Sequence, residues 1–507
     1  MKSKDASSHP TATTPIDLLI LALMTAGAFA VAGYHPGVED AEIYVPQIEK
    51  LLHPNLFPFG AEFFESHARL TLFPNLIADT ARVLHAPLDS VLLGWQVLSI
   101  FLLLAACWKL SGICFEDRRA RWAGVALVAA LLTIPVAGTA LYIFDEYLNP
   151  RSIALFAAIF AMAAALRKRY AAVALWTAFA AVIHPLMSLF GLSLIAVIVW
   201  LRDFRAWPLS GNDGGARTAA IAAAIFLPLG ISFKTPSAAY RQIIQMRPYF
   251  FLLRWHWYEW LGIFAPLALL WWSSRLARRQ GRTAVDLLCR ALIVYELVYL
   301  AIALATTIPP KLLALVRYQP MRSLQLVYAL MFLILGGWLG QWVLRARVWM
   351  WLAVFVPLCA GMYYSQEQLF PSTPHIEWPG RVPDNDWLQA FAWIRANTPT
   401  DAIFALNPDH MAMPGEDEHG FRALAERSML ADGVKDAGAL TMFPDLPLAE
   451  HWKAQMEAES GWEHFRAADF ERLKRDWGVT WVVLDQRDVT LPDCPYSNRT
   501  LRVCRLD

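Results

Sequence analysis

Long apolar stretches separated by short polar segments make up the first 364 residues of the chain. A helix needs about 20 mostly apolar residues to cross a bilayer, and the shorter stretches need flanking residues to reach that length. The stretches lie at 16–32, 90–114, 122–143, 152–166, 171–201, 218–233, 261–273, 285–308, 324–344 and 348–364. This pattern predicts a multi-helix transmembrane domain over residues 1–364. The first stretch runs into Tyr34-His35-Pro36 rather than a small-residue cleavage site, so we read it as an uncleaved membrane helix.

The stretch 171–201 is too long for one ordinary span and has basic residues at both ends. Proline removes a helical hydrogen bond and clashes with the preceding turn, so we predict two short helices that meet at His184-Pro185 on the outer side. With this split the chain makes about eleven crossings.

Arginine and lysine collect in three loops between the apolar stretches. Loops rich in these residues face the cytoplasm, which predicts a cytoplasmic N-terminus. Because the predicted number of crossings is odd, everything after about Tyr364 then lies outside. The three groups are Arg118, Arg119 and Arg121; Arg167, Lys168 and Arg169; and Arg275, Arg278, Arg279 and Arg282.

Residues 365–507 are polar and acidic and begin with a proline-rich linker. A helical pattern from Asp386 stops at Thr398-Pro399, residues 402–406 read as a strand, and a helix-rich stretch at 448–477 precedes a strand at 480–485. The alternation predicts a soluble extracytoplasmic α/β domain over 365–507.

Composition supports the membrane assignment, since 57% of the residues are hydrophobic and only 17% are charged, against about 25% charged in soluble domains. The formal net charge of +1 gives no reason to expect nucleic acid as a partner. Four of the six cysteines lie in or beside apolar stretches. Cys494 and Cys504 flank a turn-rich segment where an oxidising compartment permits a disulfide, and spacing alone leaves that pairing open.

The loop between the first two membrane helices, residues 35–88, carries the first group of polar residues. Glu39 and Asp40 follow the first helix within a few residues. In one interpretation these carboxylates lie at a helix N-terminus, where the helix dipole stabilises negative charge. In the other, one of them acts as a general base toward an acceptor, and Asp40 fits this role best.

A second acidic pair, Asp145-Glu146, lies in a short loop before Pro150-Arg151. The pair either binds a cation or orients an acceptor, or it forms a turn whose acids face water or pair with Arg151. His184 is either a satisfied helix-pairing residue or a contact for a phosphate or an acceptor.

Two predicted outer loops contain basic residues, although positively charged residues usually collect in cytoplasmic loops. Guanidinium groups match phosphate oxygens, so these residues suit the phosphate of a lipid carrier, although snorkelling to anionic headgroups explains them as well. Tryptophan and tyrosine interleave with them, which fits either a membrane interface or a sugar ring. The residues are Lys234, Arg241, Arg247 and Arg254, with His256 nearby, and then Lys311, Arg317 and Arg322.

The soluble-enzyme motifs for nucleotides, zinc proteases and nucleophilic serines are absent from the sequence. The layout of Glu39-Asp40, the long first loop, Asp145-Glu146, the basic outer loops and the terminal soluble domain resembles the polytopic GT-C glycosyltransferases. These enzymes use polyprenyl-phosphate-linked sugars, and the resemblance covers the whole chain.

The resemblance implies that an acid of the first outer loop is the catalytic base, with Asp40 the best fit and Glu39 its immediate rival. It implies donor-phosphate contacts by Arg254, Arg317, Arg322 and Lys311, and donor or acceptor contacts by His184, Asp145, Glu146 and His256. Members with lipid-diphosphate donors often hold a divalent metal, but Asp145-Glu146 lacks the acid-x-acid spacing of metal-dependent oligosaccharyltransferases. No cofactor is therefore certain, and a divalent metal is left open.

The expected activity is inverting transfer of a hexose or pentose from a polyprenyl-phosphate donor to a lipid, glycan or protein acceptor, on the outer face of a bacterial inner membrane. Two other classes fit the sequence: a transporter or flippase of lipid-linked saccharides, and a non-catalytic component of envelope polysaccharide assembly. A transporter predicts inverted repeats and midplane charges, whereas no clear repeat is visible and the acids lie at helix ends.

Overall fold

A computed structural model describes residues 13–204, 236–308, 310–485 and 491–506, without the side chains of Phe204, Pro310 and Lys311. Long helices dominate the part before residue 370. Their bounds are Pro15–Ala32 (α1), Ala41–Leu52 (α2), Ala61–Ala68 (α3), Phe73–Leu84 (α4), Leu88–Cys114 (α5), Arg118–Ala130 (α6), Pro150–Leu166 (α7), Tyr170–Ile183 (α8), Pro185–Val199 (α9), Ala238–Gln245 (α10), Trp257–Arg279 (α11), Thr283–Thr307 (α12), Leu324–Leu339 (α13) and Val348–Leu369 (α14). Two 3-10 segments, Pro310–Tyr318 and Pro320–Ser323, precede α13.

The predicted fold class is confirmed: the chain is mostly helical and polytopic, with a small C-terminal mixed α/β part. Within the described residues, six helical stretches are long and apolar enough to cross a membrane, and α7 and α8 are shorter apolar helices. The break at His184-Pro185 is also confirmed, since α8 ends at Ile183 and α9 begins at Pro185. The stretch predicted at 218–233 lies outside the described residues.

One predicted span is wrong in its extent. The helix expected over 122–143 ends at Ala130, and the chain then folds back on itself through an isolated bridge between Pro135 and Tyr142. Proline has no backbone N–H to donate to a helix and disfavours helical geometry at the residue before it. The helix therefore does not continue through this segment, although the segment is apolar.

Small residues let α6 and α13 approach closely. A Cβ atom added to Gly336 would lie 2.5 Å from the backbone oxygen of Ala123. Close backbone contact through small residues is a common way to pack helices in membranes. The contact keeps α13 in place, and α13 follows directly on the 3-10 segment that carries Arg322.

A five-stranded sheet forms the centre of the C-terminal part, in the order β2-β1-β3-β5-β4. The strands β1 and β2 run parallel, as do β1 and β3, whereas β5 pairs antiparallel with both β3 and β4. The elements are Asp386–Asn397 (α15), Ile403–Ala405 (β1), Phe421–Ala425 (α16), Ser428–Met429 (β2), Lys435–Leu440 (α17), Leu448–Ala458 (α18), Ala467–Trp477 (α19), Trp481–Asp485 (β3), Tyr496–Ser497 (β4) and Leu501–Arg505 (β5).

Alternate strand residues face opposite sides of this sheet, as strand geometry requires. Phe404 and Val483 pack in one apolar cluster, and Ala405 and Val482 pack in another. Both faces are therefore covered. The structure also answers the open cysteine question, because Cys494 and Cys504 form a disulfide.

The C-terminal part holds the segment that joins α1 to α2. The Tyr34 N–H donates to the His375 carbonyl at 3.0 Å, and the Tyr34 carbonyl accepts from Glu377 N–H at 2.9 Å. On the other side, Glu39 N–H donates to the Glu418 carbonyl at 3.0 Å, and the Gly37 carbonyl accepts from Gly420. Residues 34–39 thus lie between two segments of the C-terminal part.

Arg422 is the strongest tie between the first loop and the C-terminal part. Its side chain is fully buried and donates to Glu42 of α2 at 3.2 Å and to Asp436 of α17 at 2.8 Å. A carboxylate oxygen of Asp432 lies 3.5 Å from it. Glu42 also accepts from the backbone N–H groups of Arg422 and Ala423, so its carboxylate covers the start of α16.

We expect Arg422→Met to lower the stability of the protein by about 3–5 kcal/mol, because the change leaves buried carboxylates without their cation. The measurement is thermal unfolding of the full chain in detergent. The matched control is Arg475→Met, which removes an exposed guanidinium that pairs with its neighbour Asp476. Equal melting temperatures for the two variants would contradict the role given to Arg422.

Candidate active site

Asp40 occupies the position directly before α2, as the helix-capping interpretation requires, but its side chain makes no capping hydrogen bond. Instead, Oδ2 of Asp40 accepts from Nη1 of Arg151 at 2.7 Å. About a quarter of the Asp40 side chain remains exposed. The carboxylate is therefore held by one arginine and still open to a ligand.

Arg151 lies in the first turn of α7 and bridges the two acidic loops. Its Nη2 lies 3.3 Å from Oδ2 of Asp145 and donates to the Tyr147 hydroxyl at 3.3 Å. The same Asp145 oxygen accepts from Asn149 at 2.5 Å. Asp145 of the second acidic pair thus pairs with Arg151, as one of the two interpretations of that loop expects.

The charge around Asp40 decides its protonation. Burial raises the pKa of the Asp40 carboxyl, but the positive charges of Arg151 and Arg322 and the hydrogen bond from Arg151 outweigh this effect, so that the net shift of the pKa is downward. The carboxylate is ionised at neutral pH.

A cavity of about 410 Å³ opens beside Asp40. Its walls come from α2, α3, α7, the α8–α9 junction, the segment after α10, the 3-10 segments before α13, and α17 of the C-terminal part. Apolar side chains such as Leu70, Leu186 and Phe250 line it together with charged groups. Mostly apolar walls with a few convergent polar groups are typical of ligand sites.

Cations outnumber acids in the cavity wall. Asp40 is the acidic residue among its described lining residues, which include the five cationic residues Arg151, Arg247, Arg317, Arg322 and Lys435. Two of these are already engaged with carbonyl groups: Arg247 donates to Val434, and Arg317 donates to Met442 at 3.2 Å. Such an excess of positive charge suits an anionic ligand with several oxygens.

Arg322 is the member of this group best placed to take a new partner. Within the described residues its side chain makes no hydrogen bond or ion pair, and its Nε atom, like those of Arg151 and Arg247, is buried without an acceptor. A buried polar atom without a partner is costly, and a phosphate oxygen would supply one. Arg322 is therefore the strongest candidate for a contact to an anion.

Lys435 enters the cavity from the C-terminal part. Its Nζ forms an ion pair with Glu39 and lies 3.6 Å from Oδ1 of Asp40. Lys435 could not be selected from the sequence, because nothing in the local pattern connects it with residues nearly 400 positions earlier. Glu39 thus contacts Lys435 and does not line the cavity, whereas Asp40 does.

Two histidines complete the wall. His184, expected as a ligand contact, lines the cavity while its Nδ1 accepts from Met187 N–H at 3.2 Å, so it also caps α9. His67 of α3 lies 3.2 Å from the Tyr44 hydroxyl through its Nε2. Burial lowers the pKa of His67 despite the nearby Asp40 charge.

Several residues selected from the sequence lie elsewhere. Arg254 is exposed, donates to the Gln245 carbonyl at 2.9 Å and packs over the Phe251 ring, and exposed His256 precedes α11, with its N–H donating to Glu259 at 2.6 Å. Neither residue lines the cavity, and neither do Asp145 and Glu146.

Glu146 is buried, and burial with the charge of Asp145 raises its pKa to about 8. Two residues of the basic loops remain without a placement here: Lys234 and the side chain of Lys311 lie outside the described residues.

A separate group of side chains has the composition of a metal site. His35, Glu377 and His419 are buried, and one ligand atom of each lies within 4.8 Å of the others. The described residues contain no second group of three such ligands. Neither member of the acidic pair predicted as a cation contact, Asp145-Glu146, belongs to this group.

Comparison with known proteins gives three results. A family model described as a domain of unknown function (DUF6798) matches residues 385–436, which include Arg422 and Lys435. No curated protein matches the chain. The structural neighbours include an oligosaccharyltransferase from Archaeoglobus fulgidus, solved with Zn and sulfate, and the arabinofuranosyltransferase AftD from Mycobacteria.

Both neighbours are named as glycosyltransferases. The archaeal protein is 15% identical over 92% of this chain and 67% of its own, with a TM-score of 0.48. AftD is 15% identical over 94% of this chain, with a TM-score of 0.46. The matched region spans about a third of the length of AftD, 35%.

We expect the cavity to bind inorganic pyrophosphate, and we expect Arg322→Gln to weaken that binding about tenfold or more, because a charge-assisted contact is lost. Titration calorimetry on the detergent-solubilised chain measures the affinity. Arg254→Gln, an arginine outside the cavity, is the control and should bind like the wild type. An equal loss in both variants would contradict the assignment of the cavity.

Proposed function

We propose that this protein is a membrane glycosyltransferase that moves a sugar from a polyprenyl-phosphate-linked donor to an acceptor hydroxyl, with inversion at the anomeric carbon. The observation that carries the proposal is the position of the ionised Asp40 in a cavity whose other charged lining residues are cationic. Such a transfer requires a base for the acceptor hydroxyl and positive charge to stabilise the anionic leaving group.

The cationic side of the cavity suits the donor phosphate. In the transfer the bond between the anomeric carbon and the phosphate oxygen breaks, and negative charge develops on the leaving phosphate. Preorganised guanidinium groups stabilise such charge, and we assign this role to Arg317 and Arg322, with Arg247 beside them. Apolar wall residues such as Leu186 and Phe250 suit the first units of the lipid.

Asp40 is assigned to the acceptor hydroxyl, which attacks the anomeric carbon as the phosphate leaves. The hydroxyl becomes more acidic as its oxygen bonds to carbon, so a carboxylate of low pKa takes the proton late in the step. The ion pair with Arg151 fixes the direction of the carboxylate. Lys435, 3.6 Å from the other oxygen, adds positive charge on the side of the C-terminal part.

We also propose that the cavity faces the outer side of a bacterial inner membrane, with residues 1–364 as the membrane domain and 365–507 outside. The contacts of residues 34–39 with the C-terminal part support a common side for both. Residues of the three basic clusters, Arg121, Arg167, Arg169 and Arg282, line one other depression. That arrangement is expected if these loops share the cytoplasmic face.

Asp40→Asn should lower sugar transfer by about 100-fold or more, because the amide cannot accept the proton. Glu39→Gln should keep most of the activity, since Glu39 contacts Lys435 rather than the cavity. The assay follows transfer from a panel of radiolabelled polyprenyl-phosphate sugars into membrane extract.

Insertion and folding of each variant are checked by melting temperature and elution profile. Transfer by the wild type that survives Asp40→Asn would refute Asp40 as the base. Loss in Glu39→Gln with activity kept in Asp40→Asn would reverse the assignment of the two acids.

The dependence of transfer on pH follows from the lowered pKa of Asp40. A base with a lowered pKa is already ionised above about pH 4, so the rate is lost only as the pH falls through that lowered value. We therefore expect kcat/KM to show no acid limb from Asp40 between about pH 5 and 8. An acid limb in this window that persists in His67→Gln would contradict the electrostatic account of the site.

A further inference from the structure

His35, Glu377 and His419 come from three distant segments and meet in the interior. His35 lies between α1 and Asp40, Glu377 lies in the linker after α14, and His419 lies two residues before α16. Both histidine side chains have no exposed surface, and Glu377 is 7% exposed. The same carboxylate oxygen of Glu377 lies 2.7 Å from Nδ1 of His35 and 2.9 Å from Nε2 of His419.

The hydrogen bonds of His419 restrict what can lie between its Nε2 atom and the carboxylate of Glu377. Its Nδ1 is 2.8 Å from the backbone carbonyl of Glu416 and must donate to it. In a neutral ring Nε2 then carries a lone pair, which faces the carboxylate of Glu377. Two lone pairs at 2.9 Å repel each other, so either a proton or a metal ion is required between them.

We propose that His35, Glu377 and His419 bind a divalent transition-metal ion, of which Zn²⁺ is the best fit. Two imidazoles and one carboxylate form a ligand set that zinc uses, and a water molecule can fill the fourth tetrahedral position. This site is separate from the Asp40 cavity and does not depend on the proposed transferase activity.

The second hydrogen bond of His419 suits a metal ligand. A metal-bound histidine commonly donates its other N–H to a backbone carbonyl, which His419 does.

Two of the three separations among the ligand atoms need only a small adjustment, and the third, between the two histidine nitrogens, is at most 4.8 Å. Ligand atoms of a tetrahedral zinc ion with bonds near 2.0–2.1 Å are about 3.3 Å apart. The two separations of 2.7 and 2.9 Å from the Glu377 oxygen would therefore open by about half an ångström. Phe370 stacks on the His35 ring with centroids 4.0 Å apart and excludes water from that side.

Such a metal would join the segment before Asp40 to the linker and to the C-terminal part. Because the ligands meet only in the folded chain, binding of the metal contributes to its stability. The backbone contacts of residues 34–39 hold the same three segments. The inferred role is therefore structural, fixing the approach of the chain to Asp40.

The test is the zinc content of the full chain, purified in detergent, incubated with Zn²⁺ and dialysed against metal-free buffer. Mass spectrometry of the metal should give about one zinc per wild-type chain, and Glu377→Gln and His419→Gln should lose it. His451→Gln, which changes an exposed histidine of α18, is the control and should retain it. Reconstitution with Co²⁺ should give the visible absorption of a four-coordinate site.

A wild-type chain that retains no metal after incubation with Zn²⁺, Co²⁺ or Mn²⁺ would overturn the proposal and leave a buried imidazolium paired with Glu377. Retention of zinc by both ligand variants would overturn it as well. The wild-type measurement decides the question even if a variant fails to fold.

Discussion

The buried guanidinium of Arg422 is the constraint on which the arrangement of the site depends. A cation with no exposed surface has to be paired, since an isolated buried charge is too costly to keep. Its partners are Glu42 of α2 and Asp432 and Asp436 around the start of α17. Asp40 lies two residues before Glu42, and Lys435 lies next to Asp436. One ion network therefore sets the position of the membrane-side acid relative to the lysine from the C-terminal part.

The network also explains why the cavity has walls from both parts of the chain. The helical part supplies Asp40, Arg151, Arg317 and Arg322, whereas α17 closes the opposite side. With one acid among several cations, the cavity is electrostatically prepared for an anion before any ligand enters. Preorganisation of this kind is the main way in which enzymes stabilise charge that develops during a reaction.

Much of the fold could be predicted from the sequence because membrane helices follow directly from local hydropathy. The break at His184-Pro185 was predictable from the chemistry of proline, whereas the early end of α6 was missed because the following segment is just as apolar as a helix. Pro135 and its bridge to Tyr142 determine the conformation of that segment, and the bridge is a tertiary contact.

The candidate site was predictable only in part. Asp40, Arg317, Arg322 and His184 were selected from their place near predicted outer loops, and they line one cavity. Arg254 was selected by the same reasoning and lies outside it, since loop membership does not determine the direction of a side chain. Lys435 and the group of His35, Glu377 and His419 depend on contacts between segments far apart in the chain, for which a single sequence carries no signal.

The most direct test of the central claim is a cryo-EM structure of the Asp40→Asn variant with a bound polyprenyl-phosphate sugar. The account predicts that the donor phosphate contacts Arg317 and Arg322, with the anomeric carbon facing residue 40 and the lipid along Leu186 and Phe250. A donor bound outside this cavity, for example with its phosphate on Arg254, would contradict it.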